Sequence, residues 1–291
     1  MKKSSLYLPD RLKASLAARA AVTGKSEAEL IRGAIEAMLA VATPASTTAR
    51  PDPPLPGRLI GIGVGPGEPD LLTSRALNAL RRCDCVLAPT TSVDSVGRAE
   101  TIVREAVLGI AVERVSFSMS PSRAARDRSV NAAAKVVAGH LEAGEEVGWV
   151  TLGDPLTYST FSAVAEKVLK LRPSTNVEHV PGIMAFQSLA ARTGTVIADE
   201  RTRVSIRTGL DGDELDSDLT DPSSTLIVYK GGRRLPEIAA QAAKRGRNGT
   251  AVAGELLGMP GERVGPLASL ATAPASYLAT VIFPATRKAS R

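Results

Sequence analysis

The stretch Gly153-Asp154-Pro155-Leu156-Thr157-Tyr158 places a turn, a carboxylate and a phenol after a short apolar run, Val147, Trp149, Val150 and Leu152. Gly153 lets backbone atoms approach a bound molecule closely, and Asp154 supplies one fixed acceptor. Two more stretches carry the same kind of chemistry. Gly61-Ile62-Gly63-Val64-Gly65-Pro66-Gly67-Glu68 offers main-chain groups beside a carboxylate, and Val180-Pro181-Gly182-Ile183-Met184-Ala185-Phe186 is a second proline-glycine turn. The first of these is not a dinucleotide fingerprint, because Pro66 and Pro69 interrupt where a helix should open. No Ser/His/Asp set competes with a ligand gripped by backbone. Cys83 and Cys85 flank Asp84 and read as buried thiols, since a lone Cys-x-Cys lacks the second ligand pair of a structural zinc site. His140 and His179 are too few and too isolated for a metal cluster, and no metal is expected. His140 suits a helix end, and His179, just before a proline-glycine turn, is a candidate ligand contact.

Such turns need elements that hold them at one edge. Short apolar strands are expected over 58–63, 83–88, 112–117 and 146–152, with helices over 72–80, 98–106 and 129–141 between them. That alternation predicts an α/β fold with a mainly parallel first sheet and helices on both faces, ligands sitting beyond the strand ends. Further on, 225–230, 250–256 and 278–283 read as strands and 235–244 as a helix, a pattern prone to hairpins. Arg201, Arg203 and Arg207 alternate with Val204 and Ile206, so one face of that strand presents guanidinium groups. Arg123, Arg126 and Arg128 either form a solvated helix face or steer carboxylates. A chain of 291 residues with 44% hydrophobic content holds more than one domain. Its charge of +6 and pI near 9.5 suit a polyanionic partner, whether a nucleic acid or a small polycarboxylate. No apolar run reaches the length of a membrane span, and the lysine-led start lacks a signal-peptide core, so a cytoplasmic protein is expected.

The glycine loop after residue 60, the Val150-Thr151-Leu152-Gly153-Asp154-Pro155 turn and the Val180-Pro181-Gly182 turn stand in the order and at the distances that resemble the tetrapyrrole methylase family. These enzymes methylate porphyrinoid rings with S-adenosylmethionine, and the resemblance runs over about residues 58–284. Tyr158-Ser159-Thr160-Phe161 and Phe117-Ser118-Met119 are similar to the branch that methylates C-20 of precorrin-2 or its cobalt-loaded counterpart, cobalt-factor II. The resemblance implies a two-lobed α/β fold, with lobes of about 58–180 and 181–285 and the cofactor between them. It assigns cofactor contacts to Pro66, Leu152, Gly153, Asp154 and Thr157 from the first lobe. From the second it assigns Met184, Ala185, Lys230 and Leu257. Tyr158 and Glu68 are the candidates for stabilising the charge that develops on the ring, and Arg201, Arg203 and Arg207 for holding its carboxylates. Glu68 replaces the family's usual aspartate, Met184 its usual hydroxyl residue and Lys230 its usual apolar one.

Residues 1–42 read differently. Ser4 to Leu8 alternates like a short strand, Asp10 is placed to cap a first helix, and Ser26 with Glu29 forms a capping box for a second. This unit resembles the ribbon-helix-helix DNA-binding family, in which paired copies enter the major groove. That implies a homodimer with Lys3, Ser5 and Tyr7 facing outward toward bases, or an arm that only dimerises. The proline-rich segment 43–57 is a spacer ahead of the methylase-like region 58–291. Two functions are therefore open: a C-20 methyltransferase, or a DNA-binding regulator using the second domain as a tetrapyrrole or S-adenosylmethionine sensor.

Overall fold

Strand and helix alternate because apolar pairs two apart, such as Leu59 with Gly61 and Ile60 with Ile62, are each followed by amphipathic segments. The computed structural model describes residues 7–42, 57–118, 122–208 and 212–286. Contacts divide the chain into Met1–Leu55 and Pro56–Arg291.

In the first unit, α1 (Asp10–Thr23) and α2 (Glu27–Ala42) are joined through Gly24, whose φ of 67° is the left-handed conformation that ends many helices. The expected capping box is formed: the Ser26 amide donates to Glu29 Oε2 at 2.8 Å and the Glu29 amide to Ser26 Oγ at 3.3 Å. Asp10 does not cap α1. The helix begins at Asp10 itself behind Pro9, and the carboxylate lies in the first turn. Helix α1 buries no residue, and Leu12 and Val22 are exposed. Lys3 and Ser5, with most of the expected strand, lie outside the described residues, as does 43–56 of the spacer; Tyr7 is exposed and belongs to no strand.

The second unit opens with β1 (Arg58–Gly63), α3 (Ser74–Arg82), β2 (Cys85–Thr90), α4 (Arg98–Ala106) and β3 (Glu113–Ser116). It continues with α5 (Arg123–Glu142), β4 (Glu146–Thr151), α6 (Phe161–Leu171) and β5 (Asn176–Val180). These five strands form one parallel sheet in the order β3-β2-β4-β1-β5. Alternate side chains serve opposite faces. Ile60, Ile62 and Val150 pack under α3 and α4, while Leu59, Val147 and Trp149 pack under α5 and α6. Helix α3 starts two residues later than its apolar spacing predicts because Thr73 Oγ1 accepts the Ala76 amide at 3.1 Å and caps it. Helix α4 is pinned to β3 by the fully buried Glu100, which accepts from Arg114 Nε at 2.7 Å and from Arg104 Nε at 2.8 Å. The Arg114 guanidinium holds that carboxyl below the usual range.

The second lobe contains α7 (Ala185–Thr193), β6 (Val204–Thr208), α8 (Gly212–Leu219), β7 (Thr225–Tyr229) and α9 (Leu235–Lys244). It ends with β8 (Val252–Glu255), β9 (Arg263–Pro266), α10 (Leu267–Leu270) and β10 (Thr280–Phe283). Its sheet runs β6-β7-β10-β8-β9, with β6 and β7 parallel and the remaining pairs antiparallel. Among the described residues no helix is long and apolar enough to cross a membrane.

Candidate functional site

The chain leaves β1 toward β2 through α3 on one face, and leaves β4 toward β5 through α6 on the other. The winding direction therefore reverses between β1 and β4, which opens a crevice beyond their carboxyl ends. The loops there meet main chain to main chain. The Gly153 amide donates to Gly65 O at 2.9 Å, and the Val64 amide to Thr151 O at 2.9 Å. A Cβ on Gly182 would lie 2.0 Å from Gly153 O, and one on Gly63 would lie 2.5 Å from the same oxygen. Only glycine permits that approach, and Gly153 itself has φ +66°. Asp154 ties the turn together: Oδ1 accepts the Leu156 amide at 2.9 Å and Oδ2 the Gly182 amide at 3.3 Å.

These loops and the second lobe enclose a cavity of about 540 Å³. Three residues of its lining, Tyr158, Lys230 and Leu256, have φ between 51° and 59°. Such backbone is unfavourable for any residue but glycine and gathers at functional sites. The left-handed Tyr158 also keeps the turn apart from α6, which begins at Phe161. Two contacts cross the cleft at this point. Tyr158 Oη donates to Ile206 O at 2.7 Å, and Lys230 Nζ donates to Tyr158 O at 3.1 Å. Burial pulls the Lys230 pKa below the ordinary lysine value, and its ammonium lies 5.9 Å from the Tyr277 ring centroid. Tyr229 Oη accepts the Phe186 amide at 3.1 Å, fixing the start of α7 beside the cavity.

Arg98, the first residue of α4, also lines the cavity, and its Nη1 is buried without a hydrogen-bond partner among the described residues. An orphaned buried guanidinium nitrogen is costly unless a ligand completes it. Nothing in the sequence marked this arginine among 36 basic residues. It is set apart by the Glu100 anchor two residues on, which only the fold reveals.

Of the residues expected to hold a cofactor, Pro66, Leu152, Gly153 and Thr157 line the cavity from the first lobe. Met184, Ala185, Lys230 and Leu257 line it from the second. Asp154 is not in the lining and acts through the turn it closes. Tyr158 lines the cavity, but its hydroxyl is already committed to Ile206 O. Glu68 stands outside the lining and pairs with Arg192 at 2.8 Å; Arg192 also meets Glu262 at 3.1 Å, and Glu262 accepts the Gly258 amide. That chain braces the first loop against α7, so direct contact of Glu68 with a reacting ring is not what the geometry provides. The three arginines face elsewhere: Arg203 pairs with Asp221, Arg207 with Asp218, and Arg201 is exposed. None lines the cavity. His179 packs edge-on against Phe161 at 5.6 Å between centroids and is absent from the lining.

A family model described as Tetrapyrrole (Corrin/Porphyrin) Methylases matches residues 58–271. A precorrin-2 C(20)-methyltransferase of Sinorhizobium sp is 32% identical over 238 residues, covering 78% of this chain and 95% of that one. A cobalt-precorrin-2 C(20)-methyltransferase of Salmonella typhimurium is 29% identical over 209 residues, covering 71% and 86%. In fold, the chain resembles the uroporphyrin-III C-methyl transferase of Thermus thermophilus solved with S-adenosyl homocysteine. The TM-score is 0.55 at 22% identity, with 78% of this chain and 97% of that one covered.

Proposed function

This chain belongs to the tetrapyrrole methylase family, S-adenosylmethionine-dependent C-methyltransferases of cobalamin and porphyrin chemistry, and we propose that it methylates C-20 of precorrin-2 or of cobalt-factor II. The observation that carries the reading is the cavity at the winding reversal, bounded by glycine loops that have no room for a Cβ.

The residues present fit the cofactor. The loops after β1, β4 and β5 offer main-chain donors and acceptors, and about 540 Å³ is the size of an ordinary small-molecule site. Pro66, Leu152, Gly153, Thr157, Met184, Ala185 and Leu257 would hold it. When bound, S-adenosylmethionine supplies an electrophilic methyl group, whose transfer to a ring carbon releases a proton.

The protein's share is alignment. Gly153 and Gly182 fix the two first-lobe turns against each other, and the Tyr158–Ile206 and Lys230–Tyr158 contacts hold the second lobe at a set distance from them. Orienting two reactants in this way supplies much of a rate enhancement. Leu256, Leu257 and Met259 give the cavity an apolar wall. Glu68 serves as a positioning residue through Arg192, and Arg98 meets a carboxylate of the ring.

The deciding experiment incubates purified protein with S-adenosylmethionine and either ring, followed by mass analysis and assignment of the methylated carbon. One added methyl at C-20 is the expected result. Bound cofactor with no transfer to either ring, or a methyl at another carbon, would overturn the assignment. Arg98→Met should raise KM for the ring about tenfold or more, the worth of one charge-assisted hydrogen bond of about 1.5–3 kcal/mol. Affinity for S-adenosylhomocysteine should stay unchanged, which calorimetry checks.

We propose further that Met1–Leu55 pairs with a second copy. Two helices of which α1 buries no residue form too small a core to stand alone. No observation among the described residues favours the regulator reading.

A further inference from the structure

The amino-terminal edge of the first sheet, away from the cavity, gathers three residues that the sequence keeps apart. Cys85 opens β2, Glu113 opens β3, and His140 lies in the last turn of α5. His140 Nε2 is 3.6 Å from Cys85 Sγ and 3.1 Å from Glu113 Oε2, and those two atoms are 4.0 Å apart. The isolation expected of His140 does not hold. On its other side, Nδ1 is 2.6 Å from Glu145 Oε2, so the ring is held by a carboxylate while Nε2 points at the thiol and at Glu113.

A tetrahedral zinc ion binds sulfur at about 2.3 Å and nitrogen or carboxylate oxygen at about 2.0–2.2 Å, which sets ligand-to-ligand edges of about 3.4–3.6 Å. The three edges observed fall within about half an ångström of that triangle. A histidine whose second nitrogen is bonded to a carboxylate is the usual arrangement around a bound metal. Cys85, His140 and Glu113 are half-buried to exposed, so an ion can enter from solvent.

We propose that Cys85 Sγ, His140 Nε2 and Glu113 Oε2 form a zinc-type divalent cation site, with water as fourth ligand and Glu145 orienting His140. Binding forms three protein–metal bonds. The Cys85 thiol loses its proton to solvent, as does His140 Nε2 if it carries one. Thiolate and carboxylate then balance the two positive charges. An ion at this place clamps β2, β3 and α5 together at an edge far from the glycine loops.

The test uses the full chain, stripped with chelator and titrated with CoCl2 and then ZnCl2. Stoichiometric Co2+ should produce a thiolate-to-cobalt charge-transfer band together with the visible bands of a four-coordinate ion, and zinc should displace both. Cys85→Ser should remove the charge-transfer band and weaken zinc at least a hundredfold, with circular dichroism unchanged. Glu145→Gln should weaken zinc about tenfold to a hundredfold, as for a lost partner behind a metal-bound histidine. Cys83 packs against Gly148 in the core on the other face of the sheet, so Cys83→Ser should leave the band intact. A band absent from the unaltered protein, retained in Cys85→Ser, or lost in Cys83→Ser would overturn the site.

Discussion

Gly182→Ala is expected to lower kcat/KM for methyl transfer at least about a hundredfold, because an error of about 1 Å in reactant placement costs that much. The added carbon would stand 2.0 Å from Gly153 O and 2.9 Å from Gly63. Both neighbours are backbone, so no side chain can swing aside, and the loops after β4 and β5 must separate. The scaffold has its cores elsewhere, between the sheet faces and their helices. The loss should therefore appear in S-adenosylhomocysteine binding by calorimetry well beyond any fall in melting temperature. Normal binding with normal turnover would show that the glycine contact does not set the cofactor's place.

Asp154→Ala should weaken cofactor binding about thirtyfold to a hundredfold, although the carboxylate lines no part of the cavity. It accepts the Leu156 and Gly182 amides and lies 3.4 Å from Thr157 Oγ1. Hydrogen bonds to a charged acceptor contribute about 1.5–3 kcal/mol, and the Gly182 amide would be left without its partner. Asp154→Asn distinguishes charge from shape. It keeps one acceptor for Leu156 but sets an NH2 group or a neutral oxygen against the Gly182 amide, so an intermediate loss is expected. An Ala variant that binds S-adenosylhomocysteine as well as the parent would remove Asp154 from the positioning of the site.

The turns were legible in the sequence because their chemistry is local. Gly153 with Pro155, or Pro181 with Gly182, announces a sharp corner within a few residues, and strand-helix alternation announces a parallel sheet with ligands at its carboxyl edge. What escaped reading depends on distance along the chain. Tyr158 meets Ile206 across 48 positions, and its hydroxyl is occupied there. Glu68 was placed by its loop, yet Arg192 in α7 captures it. Arg207 alternates as a ligand-facing residue should, yet α8, whose Asp218 it pairs with, has no counterpart among the segments read from the sequence. His140 and Cys85 stand 55 positions apart, and no spacing rule joins a helix end to a strand start at that separation.

Tyr158, Lys230 and Leu256 carry their side chains on backbone that glycine would occupy without penalty. Each such residue costs of order 1–3 kcal/mol in a free chain. An engineer seeking heat tolerance would find glycine attractive at all three, and each exchange would strip a side chain from the lining of the cavity proposed to hold the methyl donor. Robustness and turnover thus pull against each other at the same three positions, and gains in the first should be sought on other surfaces.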